Sequence, residues 1–85
     1  MFAKLFESEK YGQVLFVLDV GRDGGPTITV SCEPKDYGVC SITTKFEESA
    51  EGWEDAEDLL NMTELEHADA WAKQINENVN RAISA

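Results

Sequence analysis

The sequence predicts an α+β domain in which an antiparallel sheet of about four strands, ordered as a ββββ meander, precedes two helices packed on one of its faces. Three observations carry this. Residues 1–47 alternate apolar and polar positions between Gly/Pro clusters, residues 49–61 and 63–84 switch to helical spacing, and 85 residues suit one core and no more.

The elements follow in order. Ala3–Ser8 is expected as a first strand, joined through Glu9-Lys10-Tyr11-Gly12 to Gln13–Val20, the segment richest in β-branched and aromatic residues. Gly21-Arg22-Asp23-Gly24-Gly25-Pro26 reads as a turn, since glycine accepts positive φ and proline interrupts a ladder. Thr27–Glu33 then alternates, with Ile28, Val30 and Cys32 on one side. Pro34-Lys35-Asp36-Tyr37-Gly38 forms the next turn, and Val39–Glu47 a last strand with Cys40, Ile42 and Phe46 on its apolar side. Matching apolar faces predicts the pairs Val20–Ile28, Leu18–Val30 and Phe16–Cys32, then Val30–Ile42 and Cys32–Cys40. On the opposite face only Leu15 and Val17 stand out as apolar, to be covered by the first strand's end or by a second subunit.

Ser49 is the expected N-cap of a short helix over Glu51–Asn61, whose apolar side is Trp53, Ala56 and Leu60. Thr63-Glu64-Leu65-Glu66 has the form of a capping box opening a second helix toward Ile83, with Leu65, Ala68, Ala72, Ile75, Val79 and Ala82 facing the sheet and Trp71 at its edge. The core is thus expected where Trp53, Leu60, Leu65, Ile75 and Val79 meet Phe16, Leu18, Val30 and Ile42. Asp69, Lys73, Glu77 and Arg81 are spaced as an i, i+4 ladder of alternating sign, each pair contributing about 0.2–0.5 kcal/mol.

The net charge of −10 is unevenly placed. Through Phe46 six acids meet five bases, whereas from Glu47 onward eleven acids face only Lys73 and Arg81. No Lys or Arg occurs from Phe46 through Ala72. Such a balance repels phosphate backbones and anionic lipid, and attracts basic protein surfaces. The opening residues lack the apolar run of a signal peptide and no segment is long enough to span a bilayer, which predicts a cytoplasmic protein, or one made in a host's cytoplasm.

No catalytic residue, cofactor or metal site is expected. The clustered carboxylates lie on the outer side of a helix, where water keeps them ordinary, and the Asp-x-Asp-x-Asp-Gly pattern of a calcium loop is absent. Cys32 and Cys40 read as reduced core thiols, and with His67 they have no zinc-site spacing. His67 itself is expected at the surface or helix edge. The glycine-rich turn lacks the Lys-Ser/Thr of a P-loop, and Phe16, Phe46, Trp53 and Trp71 are core or core-edge residues rather than a base-stacking platform.

What remains is the acidic stretch. Glu51, Glu54, Asp55 and Asp58 fall within roughly a 100° stripe opposite the apolar side, and Glu64 and Glu66 follow. The expected function is a small binding protein that occupies a basic, nucleic-acid-handling surface of a partner, as phage-made nucleic-acid mimics of the anti-CRISPR kind, nuclease immunity proteins and antitoxins do. The alternative is a non-catalytic assembly module, homodimeric through the outer sheet face at Leu15 and Val17.

Overall fold

The computed structural model describes residues 2–34 and 37–84. Four strands, β1 (Phe2–Ser8), β2 (Gly12–Val20), β3 (Pro26–Cys32) and β4 (Cys40–Lys45), precede two helices, α1 (Ala50–Met62) and α2 (Leu65–Ser84). The sheet is antiparallel in the order β1-β2-β3-β4, so each strand pairs with its neighbour in sequence. The architecture is the expected α+β meander with helices behind it.

Each turn has a local cause. Between β1 and β2 the buried Ser8 hydroxyl accepts from the amides of Lys10 and Tyr11, and Gly12 takes φ +77°, open to glycine at little cost. Gly21 N donates to Gly25 O at 2.7 Å and Gly24 N to Gly21 O at 3.0 Å, closing the β2–β3 loop, with Asp23 Oδ1 accepting from Gly25 N. Tyr37 N donates to Pro34 O across the β3–β4 turn, of which Lys35 and Asp36 lie outside the described residues.

That tight glycine loop corrects one predicted register. Val20 pairs with Pro26, Leu18 with Ile28, Phe16 with Val30 and Val14 with Cys32, two residues from the expected match. Pro26 joins the ladder at a strand's first position, where its missing N–H is tolerated, and its carbonyl accepts from Phe46 N at 2.9 Å. Because side chains alternate with period two, a two-residue shift leaves every face assignment intact. The β3–β4 register is as expected, Val30 opposite Ile42 and Cys32 opposite Cys40, both cysteines carrying free thiols.

The core lies between the inner sheet face and the helices. Val14, Phe16, Leu18, Ile28, Val30 and Cys32 are buried beneath Ala56 and Leu60 of α1 and Ala68, Ala72 and Ile75 of α2. Phe6 meets Phe16 edge-on at 5.7 Å between ring centroids, and Trp53, Trp71 and Ile42 border the cluster. α1 rests on β2 and β3, whereas α2 crosses all four strands.

Four expectations about the helices need correction. The stripe on α2 does not begin at Leu65, which is 47% exposed, and fades through half-buried Val79 to exposed Ala82. A helix of 20 residues is about 30 Å long while four strands span roughly 19 Å, so its ends overhang the sheet. Trp53 is half-buried rather than central, because Gly52, Ala56 and Leu60 form the inward line. The Thr63 hydroxyl does not open α2; it donates back to the Leu59 carbonyl at 2.7 Å, making Thr63 the C-cap of α1. Finally, only Lys73 and Glu77 of the expected charge ladder approach, at 4.0 Å, while Arg81 turns to Asn78 and Asp69 Oδ1 is buried with no hydrogen-bond partner among the described residues.

Candidate partner-binding face

The position of α1 is set by its first turn. Ser49 Oγ accepts from Gly52 N at 3.0 Å, the expected N-cap, and Ser49 N donates to Glu47 O at 2.9 Å. The chain doubles back so closely that a Cβ on Gly52 would overlap the Glu47 carbonyl. Glycine at this position lets the chain pass from β4 into the helix within four residues, with Glu51 beside its positive N-terminal end.

The opposite end is held from β1. Lys4 Nζ donates to Asn61 O at 3.1 Å and Thr63 O at 3.3 Å, among the carbonyls that α1 leaves unpaired. α1 has no base in its own last turn. Sequence reading missed this contact because 57 residues separate the partners and a cation on an edge strand has no local signal.

With Gly52, Ala56 and Leu60 facing the sheet, the helix turns Glu51, Glu54, Asp55 and Asp58 outward, and all four are exposed. They run about 10 Å along the axis, on a segment anchored at both ends. Among the described residues none of the four is in a salt bridge. Glu64 and Glu66, also exposed, are not on this row; they lie beyond it, at the corner and in the first turn of α2. There His67 Nδ1 accepts from Glu64 N at 3.0 Å, and its Nε2 lies 4.0 Å from Glu66 Oε1. His67 therefore serves as the reverse half of a cap for α2, in place of the expected Thr63 box. Its i+3 spacing from Glu64 was the available signal.

Three apolar residues adjoin the acids and were missed as part of the same surface: Leu59, Met62 and Leu65, exposed by 44%, 71% and 47%. Helical geometry puts Met62 about 20° from Glu51 around the axis, within the acidic stripe. For Leu59 and Met62 the signal was their failure to fit the inward line of Ala56 and Leu60, whereas Leu65 fits the spacing of the α2 stripe and gave none.

Across the sheet, the outer face holds a groove of about 430 Å³ bordered by Leu5, Tyr11, Gln13, Leu15, Ser31 and Val39. Leu15 is paired beside Leu5, and Val17 beside Ala3, so β1 flanks but does not cover them. Among the described residues no three His, Cys, Asp or Glu side chains come together to hold a metal ion, and no helix is long and apolar enough to cross a membrane. Compared with protein-family models, curated proteins and solved structures, the chain matches none.

Proposed function

We infer that the protein is a non-enzymatic binding protein whose α1 acids occupy a basic, nucleic-acid-handling surface of a partner and so inhibit it. The observation that carries this reading is the row Glu51, Glu54, Asp55 and Asp58: exposed, unpaired among the described residues, and mounted on a helix pinned by Ser49 and Lys4. Carboxylates in fixed positions substitute for the phosphates such a surface normally holds, and they meet little ordering cost when their helix is preorganised. Glu64 and Glu66 extend the negative field around the corner toward α2. Counter-defence by a phage and immunity or antitoxin action share this chemistry; the partner distinguishes them.

The test is affinity capture from the native host, followed by kinetics with the captured protein. Association should slow steeply as the Debye length shortens from about 30 Å at 0.01 M salt to about 10 Å at 0.1 M. The partner's own nucleic acid should compete. Wild-type affinity for Glu54→Lys with Asp58→Lys at low salt would end this reading.

A further inference from the structure

The face turned away from the helices has a pattern of its own. Its two central rows, Ala3–Val17–Thr29–Thr43 and Leu5–Leu15–Ser31–Ser41, contain no charged residue. The β1–β2 half is apolar and the β3–β4 half is a hydroxyl lattice, in which Thr29 and Thr43 share a 3.0 Å hydrogen bond. Leu5 is 56% exposed and Val39 68%, whereas Val14, Phe16, Leu18, Ile28 and Val30 at the centre of the inner face are at most 3% exposed. Charges stand only at the rims, with Asp19 and Lys45 at one end and Glu7 and Glu33 at the other.

We propose that this face binds a second copy of the chain, giving a weak two-fold dimer with the acidic helices pointing outward on both sides. The argument is self-complementarity. Place a two-fold axis in the interface, perpendicular to the strands and level with the row Lys4–Phe16–Val30–Ile42. Leu5 then lies over Ala3 of the second copy and Leu15 over Val17, while Ser31 meets Thr29 and Ser41 meets Thr43. Apolar halves cover each other and hydroxyl halves cover each other. At the rims Lys45 comes beside Glu33 of the second copy and Asp19 beside Glu7, each twice by symmetry, so the rim attracts on the hydroxyl side and repels on the apolar side. An axis parallel to the strands would instead set leucine on serine. Face-to-face sheets pack about 10 Å apart with strands within about 30° of alignment, the spacing such a dimer takes.

Charge also selects the arrangement. Eleven of the seventeen acids belong to residues from Glu47 onward, behind the sheet, so a sheet-to-sheet dimer keeps the two acidic surfaces farthest apart. A helix-to-helix dimer would press them together. The footprint is roughly 19 by 20 Å, about 400 Å² a side before side-chain relief is added, which belongs to the weak end of specific interfaces. Since each copy carries −10, screening should strengthen this association, the reverse of its effect on a basic partner. The proposal is therefore independent of the function inferred above.

The experiment is sedimentation equilibrium of the whole chain from about 10 µM to about 1 mM at low and high salt, paired with amide chemical shifts over the same range. The expected result is a monomer–dimer equilibrium that tightens with salt, its shift changes confined to outer-face residues of β1–β4. Leu15→Lys should weaken it at least tenfold. Lys45→Glu should weaken it too, and Lys45→Glu combined with Glu33→Lys should recover most of the loss, a rescue that misfolding could not imitate. A monomer at every concentration and salt would overturn the proposal, as would concentration-dependent shifts centred on the helices, or a dimer indifferent to all three variants.

Discussion

Lys4 Nζ lies 3.1 Å from the carbonyl oxygen of Asn61, so the first strand of the sheet supplies the cation that the last turn of the acidic helix lacks. An inward-pointing lysine on an edge strand also discourages pairing with a foreign strand. One residue thus completes α1 and guards β1.

Lys4→Met should cost about 1 kcal/mol of stability, from the lost interaction with the helix end. Amide exchange should accelerate most in the final turn of α1 rather than uniformly. Unchanged exchange around Leu60 to Met62 would show that the contact contributes nothing.

Gly52→Ala offers a test of opposite signs. Helix propensity alone predicts a gain of up to about 1 kcal/mol for replacing a helical glycine. The Glu47 carbonyl occupies the space the methyl needs, so a net loss of about 1–3 kcal/mol is expected instead. Thermal denaturation decides between them.

Ile75 and Leu65 both sit on α2 with similar size and hydrophobicity, yet one is 2% exposed and the other 47%. Ile75→Ala should cost about 2–5 kcal/mol, whereas Leu65→Ala should stay within about 0.5 kcal/mol. Denaturant titration of the pair measures the overhang of the helix directly.

Burial, and then the neighbouring Cys40, pushes the Cys32 thiol up from its ordinary value of 9.0. Cys40, only half-buried, should therefore be alkylated first at neutral pH, by a wide margin that peptide mass mapping would read. The same shift has a sign in stability. The unfolded thiol ionises first, so the contribution is whole below pH 9.0 and declines as pH rises from there toward the folded value.

Glu54→Lys with Asp58→Lys should leave the fold intact and raise its stability by up to about 1 kcal/mol at low salt. Three like-charge contacts, Glu51 with residue 54, residue 54 with Glu57 and Asp55 with residue 58, become attractive while residues 54 and 58 still repel, and residue 58 now suits the helix's negative end. A more stable protein that has lost its partner would separate binding from solubility. A fall in melting temperature would show that these side chains support the fold.

Much of the fold was legible because its signals are local. Ser49 capped the first helix where its side chain and the following periodicity placed it, and the alternation of Ile28, Val30 and Cys32 fixed their face and their match with β4. The β2–β3 register was not legible, since it depends on Gly21 hydrogen-bonding Gly25 and on Pro26 lending its carbonyl to Phe46. Thr63 and Glu66 matched a capping pattern, but the hydroxyl found the Leu59 carbonyl first, four residues back in a finished helix. At the candidate site the acids could be placed on one side of α1 from spacing alone. The contribution of Lys4, and the exposure of Leu65 beside those acids, needed the third dimension.

The meander has a consequence for how the molecule comes into being. Every strand pairs with the one before it across a short turn, so the sheet can assemble by successive hairpins, each a microsecond event. The slow steps are those that close long loops, and the bond from Lys4 to Asn61 spans 57 residues. A chain still emerging from the ribosome can therefore hold a ladder of strands while its carboxylates remain on an unanchored segment. The acidic row is held at both ends only once α1 lies on the sheet, so a partner that reads the anchored row requires the complete fold.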